Sequence, residues 1–192
     1  MEPTRIFLIR HGQTEWNRLK MYCGWHDKPL NETGKNQARL LKRKLKAEVI
    51  NKIYSSDRKR AIQTAKIIFG NRHIQQVKGL REIHFGVFEG LTHKQILKKF
   101  PEAYKKWLNC PFSADIPKGE NLNVFSKRVI TAFNKIVSSN KSKTIAIVCH
   151  GGTISIIINK LRRTNDFWAN VPRTGTITLL TIKKGKVSIC QK

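Results

Sequence analysis

The chain has 192 residues, 40% of them hydrophobic, and a formal net charge of +26 from 38 Lys and Arg against 12 Asp and Glu. This length suffices for one substantial core and is short for two, so we predict a single domain over residues 1–192. Residues 6–9 are too few for a secretory segment and no uninterrupted apolar stretch reaches membrane-spanning length, so we expect a cytoplasmic protein without membrane contact.

The large positive charge attracts anions of any kind, including phosphorylated metabolites and nucleic acid. Most of the basic residues are lysines along predicted helix faces, where a solvated surface is the ordinary interpretation. The four cysteines, at positions 23, 110, 149 and 190, lie far apart and form no Cys-x-x-Cys pair. We therefore predict neither a disulfide framework nor a metal site.

Short strand-like runs alternate with longer helical ones along the chain. The predicted strands span residues 6–9, 52–55 and 144–149, followed by a hairpin of residues 177–182 and 187–190. The predicted helices span residues 34–49, 60–69, 122–136 and 151–161, with two short helices between 92 and 109. This alternation predicts an α/β sandwich with a mostly parallel sheet flanked by helices. Residues 86–120, the least regular part, are interpreted as a lid over one end of the sheet.

The first predicted helix carries apolar residues at helical offsets, namely Ala38, Leu41, Leu45 and Val49. Asn31 or Thr33 is available as its amino-terminal cap, because both side chains can accept a hydrogen bond from a free backbone N–H.

Polar clusters follow three predicted strands at the point where each strand ends. They are Arg10-His11-Gly12, then Ser55-Ser56 with Arg58 and Arg60, and His150-Gly151-Gly152-Thr153. Because ligands of open α/β sheets bind at the carboxyl ends of the strands, we expect these groups to converge. Imidazoles, guanidiniums and free backbone N–H groups suit a tetrahedral dianion. One histidine at a strand end is ordinarily structural, but two His-Gly pairs with arginines favour phosphate chemistry.

Several longer motifs contain these clusters. They read Arg10-His11-Gly12-Gln13-Thr14-Glu15-Trp16-Asn17, Tyr54-Ser55-Ser56-Asp57-Arg58-Lys59-Arg60-Ala61, Leu80-Arg81-Glu82-Ile83-His84-Phe85-Gly86, Gly119-Glu120, and Val148-Cys149-His150-Gly151-Gly152. Their sequence and order, from residue 5 to about 182, resemble the histidine phosphatase superfamily, also called phosphoglycerate mutase-like. The resemblance implies that family's three-layer α/β/α sandwich and a phosphatase that requires no metal and no cofactor.

The resemblance also implies a role for each matching residue. His11 is the nucleophile that forms a phosphohistidine, and Glu82 is the general acid that protonates the leaving oxygen and then activates water. Arg10, Arg60 and His150 complete the catalytic set by lining the phosphate pocket and stabilising charge on the phosphoryl oxygens. Additional hydrogen bonds to the phosphate are expected from Asn17, Gly24 and the N–H of Gly151.

Three residues depart from the family's pattern. Gln13 stands in place of the usual glutamate, which removes an acid beside the pocket. Arg58 replaces a leucine, either as a fourth positive group or as a solvated residue at a helix start, and we favour the solvated interpretation. Phe88 replaces a common tryptophan and keeps an aromatic body. Trp107 in the lid is interpreted first as a packing residue, with a platform for substrate as the alternative.

The branch of the family is indicated by length and by lid motifs. The segment after Glu82 is compact, as in the phosphatases, and lacks the insertion of the mutases. The motifs Tyr22-x-Gly24, Phe85-Gly86, Glu89-Gly90, Trp107 and Gly119-Glu120 are similar to those of α-ribazole-5′-phosphate phosphatases of cobalamin synthesis, and also to those of metal-independent phosphoserine phosphatases.

We therefore predict a phosphomonoesterase for a small phosphorylated metabolite, with α-ribazole-5′-phosphate as the first candidate. A phosphoserine phosphatase, a broad-specificity phosphatase and a phosphoglycerate mutase stay open. A non-catalytic module that binds nucleic acid is the weakest alternative, because no recognised binding motif accompanies the charge. The oligomeric state is also open, with a homodimer as one alternative.

Overall fold

The computed structural model describes residues 2–191 and contains one six-stranded sheet in the order β3-β2-β4-β1-β5-β6. The strands are β1 (Thr4–Arg10), β2 (Lys52–Ser55), β3 (Ile74–Gln76), β4 (Thr144–Cys149), β5 (Ile177–Lys183) and β6 (Lys186–Gln191). Strands β3, β2, β4 and β1 run parallel, whereas β5 pairs antiparallel with β1 and with β6. The mostly parallel sheet and the closing hairpin are as predicted.

Seven α-helices flank this sheet within the described residues. They are α1 (Glu15–Arg18), α2 (Glu32–Lys44), α3 (Lys59–Phe69), α4 (His93–Lys99), α5 (Pro101–Asn109), α6 (Leu122–Ser138) and α7 (Gly151–Arg162). Alternate residues of β1 enter two separate cores, as the twofold period of a strand requires. Phe7 packs with residues of α2 and α3, whereas Leu8 packs with residues of α4 to α7. The predicted three-layer sandwich is therefore confirmed.

Helix α2 begins at its predicted cap but ends earlier than predicted. The side chain of Asn31 accepts a hydrogen bond from the N–H of Gly34 at 2.9 Å. The helix stops at Lys44, because the chain then turns back to enter β2, so Val49 is 82% exposed rather than part of the core. The predicted helix through residue 49 was wrong at that end.

Strand β3 is a further difference, since no strand was predicted there. Its three residues, Ile74–Gln76, are too few to form a period in the sequence, and the strand exists because it pairs with β2.

Residues 86–120 form a short 3₁₀ helix and the helices α4 and α5, separated at Pro101 as predicted. Phe88, Tyr104 and Trp107 are at most 1% exposed and belong to the same core as α6 and α7. The interpretation of Trp107 as a packing residue is confirmed. This segment therefore helps to form the core on one side of the sheet.

The described part of the chain, residues 2–191, holds no helix that is long and apolar enough to cross a membrane.

Candidate active site

The two His-Gly pairs meet at the carboxyl ends of neighbouring strands. His11 directly follows β1 and His150 directly follows β4, and these two strands pair in parallel. The ring centroids of the two histidines lie 5.1 Å apart, and the residues are 3% and 0% exposed. The sheet therefore places both imidazoles in one enclosed site.

The position of the proton on His11 follows from its hydrogen bonds. Its Nδ1 lies 2.7 Å from the carbonyl oxygen of Gly12, which can only accept, so Nδ1 carries the proton and donates it. The lone pair is therefore on Nε2, which accepts a hydrogen bond from Nε of Arg60 at 3.2 Å. His11 is thus held as the tautomer whose Nε2 can act as a nucleophile.

Arg60 is fully buried at the start of α3 and is held by a loop of residues 23–26. Its Nη1 donates to the carbonyl oxygen of His26 at 3.0 Å, and its Nη2 donates to those of Gly24 at 2.7 Å and Cys23 at 3.3 Å. Gly24 has no room for a side chain, because a Cβ would lie 2.3 Å from the carbonyl oxygen of Ile83. The carbonyl of Gly24 orients Arg60, while its contact with phosphate stays a prediction.

Glu89 anchors the loop that holds Arg60. Its carboxylate is 1% exposed and accepts from the backbone N–H groups of Trp25 at 2.7 Å, His26 at 2.7 Å and Phe85 at 3.2 Å. Burial alone would raise the pKa of Glu89, but these N–H donors and the His26 side chain lower it below its usual value. The anionic carboxylate therefore secures the backbone on which Arg60 depends.

Glu82 lies at the amino terminus of α7. Its Oε2 accepts from the N–H of Gly152 at 2.9 Å, its Oε1 accepts from the N–H of Ile83 at 3.1 Å, and the residue is 7% exposed. The N–H of Gly151, at the first position of the same helix, has no acceptor within the helix. The N–H of Gly152 thus orients the carboxyl of Glu82, and the N–H of Gly151 remains available to an anion.

Arg10 and Asn17 complete the polar side of the site. Arg10 is the last residue of β1, and its Nη1 donates to the carbonyl oxygen of Pro172. Asn17 accepts at Oδ1 from the N–H of Thr14 at 3.0 Å, so its Nδ2 is the part of the amide that can donate to an anion.

A cavity of about 260 Å³ opens beside these groups. Its polar lining includes Arg10, Asn17, Lys20, Glu82 and Gly151, and its apolar lining includes Met21, Tyr22, Phe85, Phe167, Trp168 and Val171. Neither histidine is part of this lining. Because Nε of Arg60 donates to Nε2 of His11, an entering phosphate must take over that hydrogen bond. A larger cavity of about 890 Å³ lies between β3 and α6 and contains neither histidine.

Within residues 2–191, no group of three or more His, Cys, Asp or Glu side chains is arranged to hold a metal ion.

Both histidines are held in the neutral form. Burial lowers the pKa of His11 well below its ordinary value, and the charges of Arg60 and Arg10 lower it further. Burial likewise lowers the pKa of His150, again with the charge of Arg60 as the next cause. Neutral imidazole at position 11 is the form that can attack phosphorus.

These two lowered pKa values predict a loss of stability in acid. Unfolded imidazoles take up protons near their ordinary pKa of 6.5, whereas the folded ones stay neutral. The free energy of unfolding should therefore fall as the pH drops below 6.5, by about 1.4 kcal/mol per pH unit for each histidine, until the folded pKa is reached. Urea unfolding at pH 7.5 and pH values down to about 5 measures this slope.

The matched comparison is the double variant His11→Gln/His150→Gln, which should have a clearly shallower slope below pH 6.5. An unchanged slope in that variant would mean that other groups cause the acid sensitivity.

Two hydroxyl groups support the site and were not assigned roles from the sequence. The hydroxyl of Ser56 lies 2.8 Å from Nε2 of His150. The hydroxyl of Thr64 accepts from the N–H of Gly12 at 3.1 Å and donates to the carbonyl oxygen of Arg60 at 2.7 Å. Ser56 follows directly from β2 and belongs to a strand-end cluster that the sequence predicted to converge, whereas Thr64 lies inside a helix and carries no such signal.

The departures from the family's pattern have structural explanations. The side-chain oxygen of Gln13 accepts from Nδ2 of Asn31 at 2.9 Å, so Gln13 supports the cap of α2. The guanidinium of Arg58 lies 5.4 Å from the ring centroid of Trp25, and its buried Nε has no hydrogen-bond partner among the described residues. Arg58 is the N-cap residue of α3, as the helix-start interpretation expects, but it is only partly exposed because its side chain lies against the indole of Trp25.

The comparisons with known proteins agree with this geometry. Residues 6–191 match the family model of the histidine phosphatase superfamily (branch 1). Phosphoglycerate mutase-like protein 4 of Arabidopsis thaliana is 38% identical over 167 residues, which cover 84% of this chain and 73% of that protein. Phosphoserine phosphatase 1 of Hydrogenobacter thermophilus is 32% identical over 148 residues, which cover 76% of this chain and 70% of that protein.

A solved structure extends the comparison to the fold. The crystal structure of the α-ribazole phosphatase from Shigella flexneri matches with a TM-score of 0.89 and 28% identity, covering 97% of this chain and 95% of that one. The chain belongs to the histidine phosphatase superfamily, as its motifs predicted. It is a phosphatase of the histidine-phosphatase type.

Proposed function

We propose that the protein hydrolyses α-ribazole-5′-phosphate to the free alcohol and inorganic phosphate, through a phosphohistidine on His11. The observation that carries this proposal is the apolar wall of the cavity of about 260 Å³ beside Glu82. The wall includes Phe85, Phe167 and Trp168, the last of which is 41% exposed. Aromatic side chains of this kind stack on the bases of nucleotide-like ligands.

In the first step, Nε2 of His11 attacks phosphorus and the bond from phosphorus to the ester oxygen breaks. Glu82, entering this step protonated, gives its proton to the leaving oxygen. Arg10, Arg60 and His150 stabilise the charge on the three equatorial oxygens, which is the main demand of phosphoryl transfer. Nδ1 of His11 keeps its proton and its hydrogen bond to the Gly12 carbonyl.

In the second step, water attacks the phosphohistidine. The Glu82 carboxylate takes one proton from the water, the bond between phosphorus and Nε2 breaks, and its electron pair returns to the imidazole. Inorganic phosphate leaves, and Glu82 is again protonated. Neither step needs a metal or a cofactor, so activity should survive a chelator.

The main alternative substrate is phosphoserine. Lys20 lines the cavity and could pair with a carboxylate. The ammonium of phosphoserine, however, would need an acidic partner, and the cavity lining that the structure describes contains only Glu82, whose oxygens already accept from Ile83 and Gly152. The apolar wall therefore favours the nucleotide-like substrate.

A panel of phosphomonoesters with chelator present tests this proposal. We expect the highest kcat/KM for α-ribazole-5′-phosphate, and we expect Trp168→Ala to raise its KM about tenfold, as loss of one stacking contact would. Trp168→Phe should restore most of the affinity. Faster turnover of phosphoserine or 3-phosphoglycerate would overturn the substrate, and retention of the phosphoryl group on the organic product would indicate a mutase.

Gly152→Ala is predicted to damage catalysis without unfolding α7. A Cβ at position 152 would lie 2.5 Å from Oε1 of Glu82, so the carboxyl must shift. Alanine is otherwise the better helix residue. We expect kcat to fall about 100-fold, the cost of misplacing a reacting group by about 1 Å.

The neighbouring variant Gly151→Ala is the matched control, because its Cβ would meet the guanidinium of Arg10 at 2.9 Å. It should weaken inhibition by orthovanadate, which mimics the transferred phosphoryl group, whereas Gly152→Ala should not. Full activity of Gly152→Ala would contradict the assigned position of Glu82.

A further inference from the structure

The guanidinium of Arg128 uses three of its five N–H groups on the segment around Glu82 and the other two on the carboxylate of Glu120. Its Nη1 donates to the carbonyl oxygens of Gly79 at 3.1 Å and Arg81 at 2.8 Å, and its Nη2 donates to that of Glu82 at 2.8 Å. The other two N–H groups, on Nε and Nη2, donate to the carboxylate of Glu120 at 2.6 and 2.8 Å. A guanidinium has five donors, so this one is saturated.

Glu120 forms hydrogen bonds with the backbone of the same segment at His84. Its carboxylate accepts from the N–H of His84 at 3.3 Å, and its own N–H donates to the carbonyl oxygen of His84 at 2.8 Å. The side chains of Arg128 and Glu120 are 22% and 10% exposed, so solvent screens their interaction little. Arg128 and Glu120 therefore hold the backbone from residue 79 to residue 84 in place by hydrogen bonds.

That backbone has little regular structure of its own. Residues 81–85 belong to no helix and no strand, so no ladder of hydrogen bonds fixes them. Two other side chains contribute, since Nε1 of Trp25 donates to the carbonyl oxygen of Glu82 at 3.0 Å and the Thr153 hydroxyl donates to that of Arg81 at 3.2 Å. The position of Glu82 thus depends on side chains that arrive from elsewhere.

Arg128 can hold this segment in place because its own helix is packed in the core. It lies on α6, whose residues Phe125 and Val129 are fully buried in the core. Arg128 does not line the cavity of about 260 Å³, so it has no direct contact with a substrate there. Its charge also helps to lower the pKa of His150. Its hydrogen bonds act on catalysis through the backbone of Glu82.

The geometry points to Arg128, paired with Glu120, as a positioning residue that holds the Glu82 carboxyl where it transfers its proton. This inference rests on the proposed function, in which Glu82 is the general acid. Loss of the guanidinium removes one hydrogen bond from each of three carbonyls and two from the Glu120 carboxylate, and the segment then shifts. A displacement of about 1 Å at a reacting group costs about 100-fold in rate.

The test uses two esters that differ in their need for the proton. The leaving oxygen of p-nitrophenyl phosphate departs without protonation, whereas that of an alkyl ester such as α-ribazole-5′-phosphate requires it. Phosphorylation of the full chain is followed in a single turnover by rapid quench. We expect Arg128→Met to slow the alkyl ester about 100-fold and the aryl ester less than about threefold.

Three further variants sharpen this comparison. Arg128→Lys keeps the charge but loses the planar fork, so we expect an intermediate slowing of the alkyl ester. Glu120→Gln should also slow the alkyl ester more than the aryl ester, but by a smaller factor than Arg128→Met. Lys127→Met, on the exposed neighbouring residue of α6, should behave like the wild type. Thermal unfolding and orthovanadate inhibition are measured for each variant.

Equal slowing of both esters would overturn the inference, because it would mean general disruption of the site. Unchanged rates in a folded Arg128→Met would overturn it as well. If Arg128→Met fails to fold, the ratio in Glu120→Gln decides, and an unchanged ratio there refutes the positioning role. A wild-type protein that forms no phosphoenzyme would instead refute the proposed function.

Discussion

Replacement of His11 by alanine should lower kcat/KM by about 10⁴-fold or more, the usual loss when a nucleophile is removed. The residual activity should form no phosphoenzyme. In the wild type, acid-free quenching during turnover should trap one phosphoryl group on His11, detectable as a mass increase on the peptide that contains it. This bond should be labile in acid, as a phosphoramidate is.

We expect His150 not to replace His11 as the nucleophile. Nε2 of His150 already lies 2.8 Å from the Ser56 hydroxyl, and the rings of the two histidines meet edge to face. The control is His73→Ala, since His73 is exposed and lies outside the site. An active His11→Ala protein, or activity that depends on an added metal, would refute the mechanism.

Replacement of Glu82 by glutamine should give the second large effect, a loss of about 10² to 10⁴ in kcat for alkyl esters. The amide is similar in size and keeps one oxygen that can accept from a backbone N–H, but it cannot donate the proton or activate water. With p-nitrophenyl phosphate, the first turnover should release nitrophenolate rapidly and the second step should stall. A burst followed by a slow steady state is the expected trace.

The burst distinguishes the two roles of Glu82, which are protonation of the leaving oxygen and activation of water. When the leaving group needs no proton, only the attack of water requires the carboxylate. Glu102→Gln serves as the control, since this carboxylate on α5 is 86% exposed. If Glu82→Gln shows no burst and its kcat falls equally for aryl and alkyl esters, Glu82 has a structural role.

Local patterns explain how much of the fold the sequence predicts. Most strands and helices were predicted from apolar periodicity, and Asn31 was one of two candidate caps of α2 because its side chain can accept from a free backbone N–H. Tertiary contacts override such patterns at the end of α2, where Val49 is exposed, and at β3, where three residues form a strand only by pairing with β2.

The sequence by itself determined the family and the phosphatase class, and the resemblance to that family supplied the candidate set of His11, Glu82 and His150, because each of them lies in a short motif of adjacent residues. Only the tertiary structure decided what orients that set. Arg128 lies 46 residues from Glu82 and Glu89 lies 63 residues from His26, yet each pair is in hydrogen-bond contact. A charged residue on a helix or in a loop looks solvated in a sequence, and only the packed backbone shows which carbonyl or N–H group it meets.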